Sequence, residues 1–305
     1  MRTFLVRRLF YGIAVIFLVS FIVFMLSRMA GDPRDLYVDE YTTAESYAAM
    51  GRTMGLDKPV PIQYAIWFGN ALKGDFGRSL FNRTSARKVI FERIPATLQL
   101  TGAAFVFALL TGIPMGVLSA VKRGSVWDYM GRTFALYGQA LPAFWLGVML
   151  ILIFSVQLEW LPTSKRGDWT HYVLPSITLG WGASAGFVRL TRSAMLEVLD
   201  SEYVLLARAK GVGNRTVIWK HALRNALIAP ITYAGVLLAA FMTGAVVTET
   251  VFAWPGLGRL AVSAVFNNDF PVMTGVVMIF ASFFVVANFA VDVLYAVIDP
   301  RIRLN

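Results

Sequence analysis

Residues 202–211 read EYVLLARAKG, and the segment HALRN follows at 221–225. Together they form a short basic island between two long apolar stretches of the chain. The island is too short to form a folded domain, and a glycine ends its first segment. The pattern therefore indicates a small exposed loop structure that joins two buried or membrane-embedded segments.

The loop between about 191 and 225 has the pattern of two short helices. Tyr203, Ala207 and Lys210 have the spacing that places side chains on one helical face. We expect a break at 211–213 and a second helix that is capped by Asn214 and runs into the next apolar stretch. A partner groove could close around the small side chains on this face. A solvated loop held by the negative inner membrane surface is equally compatible with the residues alone.

Composition places the whole chain in a membrane. It has 305 residues, of which only 15% are charged, and contains no cysteine; its mean hydropathy is +0.62. These values are too apolar for an ordinary soluble domain. The net charge of +10 does not indicate nucleic acid, because Lys and Arg lie between apolar stretches rather than on one basic face with interleaved aromatic residues.

Six stretches are long and apolar enough to cross a hydrocarbon layer, which requires roughly 20 helical residues. We expect the first to remain as an uncleaved anchor, because its apolar run is long for a signal peptide and no cleavage pattern follows. The predicted spans are Leu9–Leu26, Pro95–Val121, Phe134–Leu158, His171–Val188, Ala226–Thr248 and Val272–Val297.

Basic residues predict the orientation. With both termini inside the cell, the short outside loops hold only Lys165, Arg166 and Arg259, whereas the inside segments hold many Lys and Arg residues. Basic residues close to spans resist translocation, so this asymmetry favours cytoplasmic termini. The region 28–93 is then outside, and its apolar spacing after Pro59 predicts a short helix near the membrane surface or a plain connector.

The spans contain almost no ionisable residue, and Asp292 is the exception. A carrier driven by protons or sodium usually keeps an acidic or otherwise polar group near the middle of the bilayer. Asn288 and Asp292 are one helical turn apart, so they form either a relay or, as we favour, a structural contact.

Small residues cluster in two spans, at 112–116 and at 180–186, which predicts close approach of helix backbones. Pro114, Pro142 and Pro175 are expected to bend or shift their helices. The packing is then either static or part of a rocking motion that opens a path to each side alternately.

No catalytic residue is assigned. The phosphate-loop pattern is absent, because the glycines at 211 and 213 lack the required spacing. His171 and His221 have no cysteine companions and fall on opposite sides of the predicted bilayer, which argues against a metal site or a nucleophile triad.

The segments at 202–211 and 221–225 resemble the EAA loop of permeases from binding-protein-dependent ABC importers, in the form found in the dipeptide, oligopeptide and nickel family. Ordered resemblance extends over nearly the whole chain. The other matching segments are FLVRRL at 4–9, GLDKP at 55–59, GDFGRS at 74–79, RIPATL at 93–98, LP at 174–175, RLTRS at 189–193, ETVFAWPGLG at 249–258 and DPRIR at 299–303.

The resemblance implies an all-α integral membrane protein with six transmembrane helices, cytoplasmic termini and the type I ABC importer transmembrane fold. The implied location is the bacterial cytoplasmic (inner) membrane. Residues 1–94 would form the first transmembrane helix and an extracytoplasmic region, and residues 95–305 would form the importer transmembrane domain with its coupling loop at about 191–225.

The implied partners are a second homologous permease, two cytoplasmic ABC ATPases, an extracytoplasmic substrate-binding protein and membrane lipid, but no nucleic acid. The chain itself would bind no cofactor, since ATP and Mg²⁺ would be held by the partner ATPases. The residues expected to contact the ATPase are Glu202, Tyr203, Ala207, Arg208, Ala209, Lys210, Gly211, His221 and Arg224.

The last outside loop supplies a second set of candidates. Trp254, Pro255, Gly256 and Asp269 would form an extracytoplasmic gate or contact the binding protein. An interfacial anchor is the alternative interpretation of Trp254. For the whole chain, the expected function is transport of di- or oligopeptides or a similar small solute, and the alternative is a stand-alone ion-coupled secondary transporter.

Overall fold

The computed structural model describes residues 2–29, 34, 38, 43–53 and 55–298. The matching tail segment at 299–303 lies outside the described residues. Regular structure in the described part is helical, with one isolated antiparallel bridge between Arg78 and Ser85. The helices are α1 Arg2–Met29, α2 Ala44–Thr53, α3 Val60–Leu72, α4 Ala86–Phe91, α5 Ile94–Val121, α6 Val126–Ala140, α7 Ala143–Leu150, α8 Thr170–Leu199, α9 Glu202–Ala209, α10 Asn214–Thr216, α11 Leu223–Ala226, α12 Ile228–Val251, α13 Leu257–Phe266 and α14 Phe270–Ile298.

The predicted apolar stretches coincide with long helices or with the α6–α7 pair. By length and composition, Leu5–Met29, Ala86–Val121 and Phe270–Val293 can each cross a membrane, and the α6–α7 pair adds a fourth span if it is counted as one. The helix predicted after Pro59 is also present, as α3.

The third predicted span, Phe134–Leu158, is wrong as a continuous helix. α6 and α7 meet at an angle of 110°, with Leu141 in an extended conformation immediately before Pro142. A proline disfavours helical geometry in the residue before it, so the chain leaves one helix and starts another there.

α7 then continues as a π-helix over Ile151–Gln157, which the sequence pattern does not indicate. By contrast, α5 and α8 continue through Pro114 and Pro175.

Residues 1–97 and 255–305 form one compact unit. Within it, α14 packs along α1 and also contacts α4 and α13. The buried core contains Phe76, Ile90, Leu257, Val272 and Val276.

The charged group in the last span is part of an interhelical ion pair. Arg8 Nε on α1 lies 3.3 Å from Asp292 Oδ2 on α14, whereas Asn288 donates its side-chain amide to the Phe284 carbonyl at 2.8 Å. This geometry favours the structural contact over a relay between Asn288 and Asp292.

Residues 98–254 form the other unit, in which α8 contacts α6, α7 and α12. α5 approaches α8 closely through glycine. A Cβ atom at Gly112 would lie 2.7 Å from the Ser184 carbonyl oxygen, and one at Gly180 would lie 2.6 Å from the Ala104 carbonyl oxygen. The Thr111 and Ser184 hydroxyls share a hydrogen bond of 2.7 Å beside the same contact. The prediction of close backbone approach at these small residues is confirmed.

Substitution of Gly112 by Ala is expected to destabilise the protein by about 1–3 kcal/mol, because the added methyl group meets backbone atoms that have no rotamer with which to move aside. Gly102→Ala in the same helix is the matched control, since nothing lies within 4 Å of its Cβ position. Thermal unfolding of each purified variant in mild detergent measures the difference. Equal midpoints for the two variants would contradict the close packing.

Candidate functional site

The coupling loop contains a short helix, α9, which is separated from α8 by a turn. α8 ends at Leu199, Asp200 and Ser201 form the turn, and α9 begins at Glu202. Ser201 has an extended backbone, and its hydroxyl donates to the Val198 carbonyl at 2.5 Å. The loop was predicted to begin at about 191, but α8 continues to Leu199, so the predicted start is wrong. The turn at Asp200 and Ser201 was not predicted, because the spacing of apolar residues continues across it.

Gly211 follows α9 and ends it by adopting a left-handed backbone conformation. Its φ is +78°, a conformation that glycine adopts without steric cost. Its amide donates to the Arg208 carbonyl at 2.9 Å, and the Val212 amide donates to the Ala207 carbonyl at 3.2 Å. This pair of bonds is the Schellman arrangement, which satisfies carbonyls at the end of a helix. The predicted glycine stop is confirmed.

The second half of the loop differs in detail from the prediction. α10 begins at Asn214, but its N-cap residue is Gly213 and no side chain caps it, so the predicted capping role of Asn214 is wrong. The Val217 amide instead donates to the Gly213 carbonyl at 3.1 Å. A π-helix over Val217–Ala222 follows and leads through α11 and Leu227 into α12.

A small apolar base holds the loop in place. Val204 is the fully buried residue of α9. Met195 of α8 packs with Ala222 and Ala226 from the second half of the loop. Across the loop, Asn225 Nδ2 donates to the Tyr203 hydroxyl at 2.8 Å. Both halves of the loop are therefore held, and α9 is fixed from one side only.

Apart from Val204 and Ala207, the residues of α9 are exposed. Among the predicted contact residues, Ala207 and His221 are partly buried, and the remaining seven are exposed: Glu202, Tyr203, Arg208, Ala209, Lys210, Gly211 and Arg224. The structure adds three large apolar side chains that the sequence analysis missed. Leu205, Leu206 and Trp219 are 54%, 56% and 54% exposed. We call Tyr203, Leu205, Leu206, Ala207 and Trp219 the coupling surface.

A buried carboxylate ties α8 to its neighbours near this loop. Arg192 of α8 donates two hydrogen bonds to Asp128, from Nε at 2.7 Å and from Nη2 at 3.0 Å. Asp128 also accepts from the Ser119 hydroxyl at 2.6 Å and from the Gly124 amide at 3.0 Å. This network joins the end of α5, the start of α6 and the last third of α8. Sequence analysis missed it, because residues 64 positions apart give no local signal.

The candidate gate residues of the predicted last extracytoplasmic loop are buried or partly buried in the structure. Trp254 is fully buried, with its ring centroid 4.8 Å from that of Tyr172. Gly256 is buried, Pro255 is partly buried, and Gly256 caps the start of α13. Asp269 accepts from the Ser79 hydroxyl at 2.5 Å and from the Leu80 amide at 3.1 Å. These contacts place Trp254 and Asp269 in packing within the chain, and their role as a gate or binding-protein contact stays a prediction.

Loss of the Asp128 carboxylate is expected to destabilise the protein by about 3 kcal/mol, because Asp128→Ala leaves the Arg192 guanidinium without its buried partner. Arg132→Ala is the control. Arg132 Nε lies 3.7 Å from the same carboxylate, but its side chain is 49% exposed, so its loss is expected to cost below about 1 kcal/mol. Unfolding in detergent would test the contrast, and comparable losses for both variants would contradict it.

Comparison with known proteins places this geometry in a family. Residues 112–304 match the family described as "Binding-protein-dependent transport system inner membrane component". Residues 1–101 match the N-terminal part of the same kind of membrane component.

Relatives match over almost the full length. The chain is 40% identical to the "Glutathione transport system permease protein GsiC" of Escherichia coli strain K12, over 99% of both chains. It has the same identity and coverage with the protein of that name from Salmonella typhimurium strain LT2.

Solved structures show the same fold. Two crystal forms of the inward-facing MetNI methionine ABC transporter match with TM-scores of 0.58 and 0.57, at 21% and 19% identity, over 69% of this chain and 96% of the matched chains.

The fold and the matches together define an all-α permease of the inner membrane with the type I ABC importer fold. The chain belongs to the family of permeases of binding-protein-dependent ABC importers, in its peptide branch, which confirms the resemblance recognised in the sequence.

Proposed function

We propose that this chain forms half of the pathway through which an ABC importer moves short peptides, glutathione or similar solutes delivered by an extracytoplasmic binding protein. The coupling surface is the observation that carries the proposal. A relative that is 40% identical over 99% of both chains carries the name of a glutathione transport permease, which supports a small peptide as the solute. A second, homologous permease completes the pathway.

The coupling surface has the composition expected of a docking site for a soluble ATPase. Leu205, Leu206 and Trp219 are large apolar side chains, and each is more than half exposed. The basic residues Arg208 and Lys210 adjoin them, which indicates a surface at the cytoplasmic side rather than in hydrocarbon. Full burial of one large apolar side chain contributes roughly 1.5–3 kcal/mol, so a groove that covers three of them gains substantial affinity.

ATP and Mg²⁺ belong to two partner ATPases in this proposal, and the chain contributes no catalytic group. Its own task is to receive the movement of the ATPase at α9. α9 suits that task because it is fixed at both ends, by the turn at Asp200 and Ser201 and by the Schellman bonds at Gly211. A displacement of α9 therefore passes to α8 on one side and to α12 on the other.

Coupling to an ion gradient has less support in this chain. Asp292, the acidic residue in a predicted span, lies 3.3 Å from Arg8. This pair is a structural contact between α1 and α14, which differs from the polar site that an ion-driven carrier usually keeps near the middle of the bilayer. We therefore rank the ion-coupled carrier below the importer.

Uptake by the purified complex in vesicles tests the proposal. The tagged chain, with the subunits that co-purify, is expected to accumulate labelled glutathione or a dipeptide only when ATP and the binding protein are present. The chain alone is expected to transport nothing. Uptake that is driven by a proton or sodium gradient without any ATPase would instead establish the secondary transporter.

Ala207→Glu is expected to abolish uptake and to release the ATPase during purification, because a bulky charge replaces a small, partly buried side chain on the coupling surface. Ala207→Ser at the same position is the matched control and is expected to retain both properties, since it adds one small polar atom. ATPase recovered per permease and uptake per permease are the two measurements. Normal recovery and uptake with Ala207→Glu, at normal membrane levels, would contradict docking at α9.

A further inference from the structure

The first compact unit contains a cavity of about 630 Å³, a volume within the range of small-molecule sites. Its lining combines two kinds of side chain. Phe24, Trp67 and Phe76 contribute aromatic surface, and Arg52, Lys58 and Arg78 contribute positive charge. This combination suits a ligand with an anionic group next to an apolar body.

The positive charge of the cavity is not balanced by the residues described around it. None of the described lining residues is acidic. Arg52, Lys58 and Arg78 form no ion pair within the described ranges, and Arg78 Nη2 donates a hydrogen bond to the Arg83 carbonyl at 3.1 Å. Arg28 is a fourth basic residue of the lining. Because the described lining residues include several basic groups and no carboxylate, binding of an anion is favoured there.

A fixed polar side chain, that of Gln63, also lines the cavity. Gln63 donates its side-chain amide to the Lys58 carbonyl at 2.8 Å and to the Leu56 carbonyl at 3.3 Å, which fixes its orientation. Its Oε1 atom is buried and has no hydrogen-bond partner among the described residues. Gln63 therefore has a fixed position beside the basic residues of the lining.

The cavity lies at the level where the spans of this unit end. α1 and α14 run antiparallel, as the contacts of Arg8 with Asp292 and of Gly12 with Val285 show. The last turns of α1, at Phe24 and Ser27, and the first turn of α14, at Pro271, both line the cavity. The ends of spans lie at the headgroup region of a bilayer, where aromatic and basic side chains are enriched.

Apolar side chains continue from the cavity region along the outside of the same helices. Phe21 and Ile22 of α1 are exposed, and so are Ile62 and Ile66 of α3, of which Ile66 also lines the cavity. α3 lies at this depth and has an exposed apolar side, as a helix in the membrane interface does. The acyl chains of a lipid would therefore have apolar surface to follow.

We propose that this cavity binds the headgroup of an anionic phospholipid such as phosphatidylglycerol, at the membrane face opposite the N-terminus. Arg52, Lys58 and Arg78 hold the phosphate, and the aromatic side chains pack against the glycerol backbone. The site is separate from the coupling loop, and the proposal does not depend on the identity of the transported solute.

Native mass spectrometry of the purified complex, with lipids added back after delipidation, tests this site. Wild-type protein is expected to retain phosphatidylglycerol in preference to phosphatidylcholine. The triple variant Arg52→Gln, Lys58→Gln, Arg78→Gln is expected to lose phosphatidylglycerol affinity roughly tenfold or more, since one basic residue near an anionic lipid contributes roughly fivefold. Lys73→Gln, Arg87→Gln, Lys88→Gln is the control of equal charge change, and none of its residues lines the cavity.

Three outcomes would overturn the assignment. They are equal retention of phosphatidylglycerol and phosphatidylcholine by wild-type protein, equal loss in the control variant, and displacement of phosphatidylglycerol by millimolar inorganic phosphate, which would identify a soluble anion as the ligand. If the triple variant fails to fold, Lys58→Gln alone is measured, because its side chain is exposed; an unchanged preference for phosphatidylglycerol in that variant would count against the site.

Discussion

The structure of this chain depends first on one constraint. Inside a membrane, backbone amides and carbonyls have no water to bond with, so they must pair with one another. In hydrocarbon an unpaired amide or carbonyl costs several kcal/mol, so a spanning segment is a helix or part of a closed barrel. The long helices α1, α5, α8, α12 and α14 meet that condition within their own length. In the loop between α8 and α12, the turn before α9 and the Schellman bonds at Gly211 also pair backbone groups.

Lipid supplies no hydrophobic driving force between helices, so packing and polar contacts hold each unit together. In the second unit, Gly112 and Gly180 allow the backbones of α5 and α8 to touch, and Asp128 binds Arg192 across α6 and α8. In the first unit, the Arg8–Asp292 pair links α1 to α14. In each unit, a carboxylate that contacts a basic side chain on another helix favours one arrangement of those helices.

Sequence analysis was most reliable where one local property determines the structure. Length and hydropathy predicted the apolar helices, glycine composition predicted the close contact of α5 with α8, and a glycine after a helical pattern predicted the stop at Gly211. Each of these depends on residues within one or two turns. The resemblance to known permeases was then sufficient for the family, because its motifs are ordered along nearly the whole chain.

Features that depend on distant residues or on competing local preferences were not predicted. Apolar spacing continues across Leu141 and across Asp200, so the bends there depend on backbone preferences that hydropathy does not register. Asn214 has the residue type of a cap, yet Gly213 takes the position. The pair of Asp128 and Arg192 brings together residues from separate helices, and only the packed structure shows it.

The break at Asp200 and Ser201 has a mechanical consequence for the proposed function. If α8 and α9 were one continuous helix, a force on α9 would bend or tilt that whole helix. With a turn on each side, α9 instead forms a separate rigid segment whose buried contact is Val204. Arg192 lies about two turns before the end of α8 and binds Asp128 of α6. In the proposed function, a movement of α9 would therefore reach α6 through this charge pair as well as passing along the backbone to α8 and α12.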